Sequence, residues 1–125
     1  MRGIPFYFFA AAVICVTCGM GLGIAMAASG DHALGGAHAH LNLVGWATMA
    51  LFGVYYYLTP QAARAGLARI HLLLAIGGVV LMVPGIAMAV MQKGEGLAIA
   101  GSMITGASML VFLVTVLRHG FGARA

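Results

Sequence analysis

Four long apolar runs alternate with short polar gaps along this chain of 125 residues. The runs cover roughly residues 4–28, 37–58, 67–91 and 97–117. Each matches the length of about 20 residues that a helix needs to cross the hydrocarbon core of a bilayer. Gaps this short connect antiparallel neighbours. The pattern therefore predicts an all-α membrane protein, a single domain over 1–125 that forms a four-helix up-down bundle in the lipid bilayer.

Composition supports this prediction and removes one class of partner. The chain is 63% hydrophobic and 6% charged, whereas about 25% of the residues of a soluble domain are charged. The formal net charge is +4, but the basic residues are scattered over the termini and gaps. Nucleic-acid binding requires a basic patch or stripe, so no nucleic-acid partner is expected.

The basic residues predict the orientation of the chain. Five of the six fall at the two termini and in or directly after the second gap, and they are Arg2, Arg64, Arg69, Arg118 and Arg124. Lys93 lies in the third gap beside Glu95, and Asp31 lies in the first. Because Lys and Arg are enriched on the cytoplasmic side, both termini are expected in the cytoplasm, in a bacterial-type inner membrane. The first run ends with small residues, like a signal peptide, but its apolar stretch is longer than the h-region of a typical signal peptide. It is therefore expected to remain uncleaved, as a membrane helix.

Candidate chemistry lies with histidine, since no acidic residue falls within any run. His38 and His40 open the second run. An imidazole in hydrocarbon is costly without a partner, which makes it a functional candidate; the alternative is that both are hydrated at the outer interface. Residues two apart on an α-helix differ by about 200°. The two imidazoles therefore cannot both ligate one iron, but they could serve two centres on opposite sides.

Residues after the pair could support a cofactor. Asn42 follows His38 by one turn and is expected to orient it. Trp46 continues the same stripe, either beside a cofactor or as a packing residue. Gly45 and Gly53 would leave room for a flat macrocycle or would let helices pack closely.

His32, in the first gap, adds a third imidazole. A copper or other transition-metal site formed by His32, His38 and His40 is therefore an alternative. The simpler interpretation of His32 is a solvated loop histidine. His71 lies one turn into the third run and is expected at the cytoplasmic interface, with a quinone or second-cofactor role as the alternative. The run Tyr55–Tyr57 is expected in an interfacial aromatic belt.

Small residues at helical spacing predict close helix packing, within the chain or between chains. Gly19 and Gly23 form one such pair, and Ala98, Ser102 and Gly106 form another stripe. Pro60 is expected to end the second helix.

The segment AHAHLNLVGWATMALFGVYYYLTP, residues 37–60, resembles the tenth helix of the catalytic subunit of heme–copper oxidases. There a His-x-His pair ligates two hemes on opposite faces. The spacing of His40, Asn42 and Trp46 is also similar to the second helix of nitric oxide reductases, where one His ligates the low-spin heme. Short four-helix relatives of this subunit match best.

The resemblance implies a heme b protein for electron transfer or for oxygen or nitric oxide chemistry. His38 and His40 would be axial ligands, with Asn42, Gly45 and Trp46 around the heme and a quinol or cytochrome as electron partner. The family's catalytic subunit has twelve helices, an adjacent histidine pair for copper and a crosslinked His–Tyr element, which this chain lacks, so oxygen reductase activity is not expected. Three copies would supply twelve helices, which favours a symmetric homotrimer over a dimer. A cofactor-free accessory subunit is a further alternative.

Overall fold

The computed structural model describes residues 3–124 and is all-helical over that range. Four of its helices are long and apolar enough to cross a membrane, which confirms that part of the prediction. The helices are α1 (Ile4–Ser29), α2 (Gly35–Leu58), the single turn α3 (Pro60–Ala63), α4 (Gly66–Val90) and α5 (Gly96–His119). The long helices begin and end within two residues of the predicted runs. Arg2, used for the orientation, lies outside the described residues.

The ends of the first two helices follow from local chemistry. α1 ends at Gly30, whose left-handed backbone (φ 71°) lets its N–H donate to the carbonyl of Met26 at 2.9 Å, as glycine C-caps commonly do. α2 ends at Leu58 because Pro60 has no N–H to continue it. Pro60 instead opens α3, where its missing N–H costs nothing.

The bundle consists of two helical hairpins. α1 packs along α2, and α4 packs along α5, while α4 also contacts α1 and α2. Glycines bring α4 and α5 together: a Cβ on Gly85 would lie 2.7 Å from the Cα of Ala98. In the predicted stripe on α5, only Ala98 takes part in this contact, since Ser102 and Gly106 are exposed. Large apolar side chains cover the outside, which suits contact with lipid.

The middle of α2 departs from the regular α-helix. The helix is α over Gly35–His40, π over Leu41–Thr48 and α again over Met49–Leu58. Within the π-segment the Thr48 hydroxyl donates to the carbonyl of Leu43, five residues earlier, at 2.8 Å. The apolar pattern, interpreted with 3.6 residues per turn throughout α2, does not predict this segment. Such segments are rare and often lie at functional sites.

Candidate functional site

His38 lies on the side of α2 that faces α1. Its Cε1 lies 3.0 Å from where a Cβ on Gly23 would stand, so a larger residue there would require the ring to shift. The side-chain nitrogen of Asn42 lies 3.3 and 3.2 Å from the two ring nitrogens and donates to the carbonyl of His38 at 3.0 Å. Asn42 therefore lies against His38, as its spacing predicted. Asn42 in turn packs on Gly19, so the predicted small-residue seam of α1 receives the polar side chains of α2.

His40 points away from α1 and is exposed. Its Nδ1 lies 2.8 Å from the carbonyl oxygen of Gly36, one turn earlier. A carbonyl can only accept a hydrogen bond, so Nδ1 is the donor in this contact, and in the neutral ring Nε2 then keeps its lone pair. This is the arrangement of a metal-ligating histidine, whose other ring nitrogen is held by a hydrogen bond to the protein. The two histidines therefore differ: His38 is half-buried against α1, and His40 is presented outward.

The space expected for a macrocycle beside the glycines of α2 is filled by α1. A Cβ on Gly45 would lie 2.9 Å from both the Cβ and the Sγ of Cys15, and a Cβ on Gly53 would lie 3.1 Å from the carbonyl oxygen of Pro5. Trp46 is half-buried on the same side, with its ring 6.2 Å from that of Phe9. Within one chain, these three residues of α2 serve helix packing.

His32 lies in the exposed connection between α1 and α2, where its Nδ1 is 3.1 Å from the carbonyl oxygen of Gly30. Over residues 3–124, no group of three or more His, Cys, Asp or Glu side chains is placed to hold a metal ion. The structure of a single chain therefore does not bring His32, His38 and His40 together.

A second polar group lies in the interior at the other end of α2. His71 of α4 was expected at the interface, but its exposed fraction is 0%. The Tyr56 hydroxyl lies 2.8 Å from its Nδ1, and its Nε2 is buried without a hydrogen-bond partner in the described part of the chain. Three phenylalanine rings surround it at centroid distances of 4.4–5.3 Å, and they are Phe8, Phe52 and Phe112.

The three consecutive tyrosines of α2 have separate environments, so the expected aromatic belt is wrong for two of them. Tyr56 is fully buried beside His71, and the buried Tyr55 donates its hydroxyl to the carbonyl of Gly120 at 2.6 Å. Only Tyr57 is exposed. The reason is geometric: successive residues of an α-helix turn by about 100°, so three in a row cannot face the same direction.

The Tyr56–His71 pair is chemically constrained. An imidazolium at this position would be a buried charge without a counter-ion, which is costly, so the neutral ring is favoured. One hydrogen bond then joins the hydroxyl and Nδ1. The rule that an ionisable residue inside a membrane helix is a functional candidate would have identified His71 from the sequence. Its aromatic neighbours could not be identified, because Phe8, Phe52 and Phe112 come from three different helices.

Comparison with known proteins gives no relative from which a function could be transferred. No protein-family model matches the chain. Neither the curated proteins nor the solved structures give a significant match.

Proposed function

We propose that this chain is a heme b membrane protein in which His40 supplies an axial ligand to the iron. The observation that carries the proposal is the arrangement of this side chain: the ring is exposed and its Nδ1 lies 2.8 Å from the carbonyl oxygen of Gly36, so that in the neutral ring Nε2 is the nitrogen left to bind a metal. An imidazole held in this way has its tautomer and ring orientation set for metal binding. The resemblance of residues 37–60 to heme-ligating helices supports the same assignment.

The surroundings of His40 are compatible with an apolar ligand. Leu43, three residues further along the same helix, is exposed by 64%, so an exposed apolar side chain lies close to the ligand in the sequence. A buried heme needs a second wall, and the described residues of one chain place none over His40. A second copy of the chain would supply it, so a homo-oligomer is part of the proposal. Twelve helices in a trimer fit the resemblance, and a twofold dimer would also bring two such faces together.

The roles of the two histidines differ in this proposal. His38 packs against Gly23 and Asn42, so it would have to leave α1 to reach an iron at a subunit interface. His40 needs no such movement. When bound, the heme would supply reversible one-electron transfer if both axial positions were filled, or binding of a diatomic gas if one stayed open.

The test is a pyridine hemochrome assay with a reduced-minus-oxidised spectrum of protein purified in detergent after heme supplementation. We expect a b-type spectrum that His40→Ala abolishes. His32→Ala, in the exposed connection, is the matched control and should leave the spectrum unchanged. His38→Ala distinguishes a single ligand from a pair: retained heme assigns the iron to His40, and lost heme indicates that both histidines bind.

Two results would reject the proposal. One is the absence of a Soret band in supplemented wild-type protein, and the other is a spectrum that neither histidine variant alters.

Metal analysis of protein purified without added heme tests the copper alternative, which copper without porphyrin would support. If the doubly substituted protein keeps its assembly and stability and no cofactor is found, the accessory-subunit alternative is supported. Native mass spectrometry of the same samples gives the number of chains and hemes.

A further inference from the structure

A cleft of about 650 Å³ opens on the side of the bundle, between the start of α1, the last turns of α2 and the single turn α3. This volume is in the range of small-molecule sites, which are mainly apolar with a few polar groups. Its walls are apolar, with Phe6, Phe9 and Val54 among them, and Arg64 is the one charged side chain among the described residues that line it. We propose that this cleft binds an acyl chain of an anionic phospholipid whose phosphate contacts Arg64, a site independent of the proposed heme.

The inner wall of the cleft is fixed before any ligand binds. Tyr56 lines the cleft yet is fully buried, because its ring stacks on Phe8 with the ring centroids 5.5 Å apart and its hydroxyl is hydrogen-bonded to His71. Gly53 forms another part of the wall, where the backbone of α1 approaches so closely that a Cβ would lie 3.1 Å from the Pro5 carbonyl oxygen. A preformed cavity binds without the cost of ordering its walls.

The opening of the cleft lies on the side of the bundle, the surface that lipid would cover if the long helices span a bilayer. Tyr57 lines it and is exposed by 74%, and the lining residues Phe9 and Val54 are also exposed. An acyl chain could therefore enter from the lipid phase, and a ligand from water would have to cross the apolar rim. The combination of an apolar lining and one cation at the end near α3 fits an amphiphile with a negative head group.

The charge at this end of the bundle is positive. Over residues 3–124, no acidic side chain forms an ion pair with Arg64; the acids Asp31 and Glu95 lie in the two connections at the opposite end. Arg118 and Arg124 lie at the same end as Arg64, since α5 ends there. Basic residues near a membrane surface attract anionic lipids.

Hydrogen bonds dock the C-terminal segment onto the same corner. The Gln61 side chain donates to the carbonyl of Gly122 at 2.8 Å, and the N–H of Gly122 donates to the Thr59 hydroxyl at 2.9 Å. The segment that carries Arg124 is thereby held beside α3. Arg64 is therefore the basic side chain at the cleft itself, and the other basic residues lie elsewhere at the same end of the bundle.

The experiment is native mass spectrometry of the full chain released from nanodiscs that contain equal amounts of phosphatidylglycerol and phosphatidylcholine with identical acyl chains. Wild-type protein should retain phosphatidylglycerol over phosphatidylcholine by about fivefold, the size expected for one basic side chain near the surface. Arg64→Gln should bring this ratio close to one. Arg69→Gln, an exposed arginine outside the cleft, is the matched control and should keep the preference.

A second pair of variants tests the cavity itself. Val54→Trp should fill the cleft and lower retention of both lipids, while Leu51→Trp, on the same helix but outside the cleft, should not. Circular dichroism verifies that the variants are folded. If Val54→Trp does not fold, the comparison of Arg64→Gln with Arg69→Gln still tests the proposal. Equal retention of the two lipids by wild type, or identical ratios in the two arginine variants, would overturn the proposal. The same measurement is repeated on His40→Ala protein without heme. Lipid retention is then measured in the absence of the proposed heme ligand, so this test can succeed or fail independently of the proposed function.

Discussion

The Tyr56–His71 pair gives a quantitative prediction about stability. Tyr56→Phe removes the hydroxyl that lies 2.8 Å from Nδ1 of a fully buried ring. Since Nε2 already lacks a partner among residues 3–124, the variant would leave both ring nitrogens unpaired. A buried polar atom without a partner costs about 1–3 kcal/mol, whereas hydrogen bonds in membrane proteins average about 0.6 kcal/mol with a maximum near 1.7. We expect the free energy of unfolding to fall by about 1–2 kcal/mol.

A double-mutant cycle separates this hydrogen bond from general packing. His71→Leu removes both ring nitrogens and, in the background of Tyr56→Phe, leaves two apolar groups in contact. Replacing both partners of a buried hydrogen bond by apolar groups can be nearly neutral. The double variant is therefore expected to be more stable than Tyr56→Phe alone, with a coupling energy of about 1 kcal/mol or more between the two sites.

The assay is reversible unfolding in mixed micelles of a mild detergent and SDS, followed by far-UV circular dichroism and by the fluorescence of Trp46, which is the single tryptophan of the chain. Tyr57→Phe is the matched control, because Tyr57 is the neighbouring tyrosine and is 74% exposed. It should change stability by less than about 0.5 kcal/mol. Equal losses in the two tyrosine variants, or additive effects in the cycle, would refute the assignment of the pair as a stabilising hydrogen bond.

Three further perturbations test the packing. Gly85→Ala places a methyl group against the backbone of α5 and should lower the free energy of unfolding by about 1–3 kcal/mol. Gly77→Ala is the control, because a Cβ there meets no described residue within 4 Å. It should be neutral or slightly stabilising in the same assay. Tyr55→Phe removes the bond to Gly120 and should speed hydrogen–deuterium exchange of residues 120–124 with little change in global stability. Deletion of Ala47, within the π-segment, should destabilise the protein more than Tyr56→Phe; an equal or smaller loss would contradict the role of that segment.

The course of the chain through four helices could be predicted because the signal is local. An apolar run of spanning length must satisfy its backbone hydrogen bonds internally, and Pro60 and Gly30 mark helix ends by their own backbone chemistry. The contact between His38 and Asn42 was equally predictable, since residues four apart lie on one face. Whether the chain binds heme, and in which oligomer, stays a prediction from the sequence.

The burial of His71 was not predictable by the same reasoning. Its position beside Arg69, one turn into the helix, favoured the interface, but its environment depends on rings from α1, α2 and α5. Contacts of that kind arise from how helices are rotated about their axes, which a near-uniform apolar surface does not encode. The same limit applied to Gly45, where the facing Cys15 belongs to another helix.

The π-segment explains how one helix presents a polar group to α1 and an aromatic group to α4. Phe52 lies fourteen residues after His38, almost four turns of an uninterrupted α-helix, so both would face α1. A π-segment adds about one residue and rotates the remainder of the helix by about 100°. Gly53 therefore takes the place against α1, where its missing side chain allows the close approach to Pro5. Phe52 and Tyr56 reach His71 of α4 while still contacting the ring of Phe8 on α1, so the irregularity directly after His40 affects the packing at the far end of the helix.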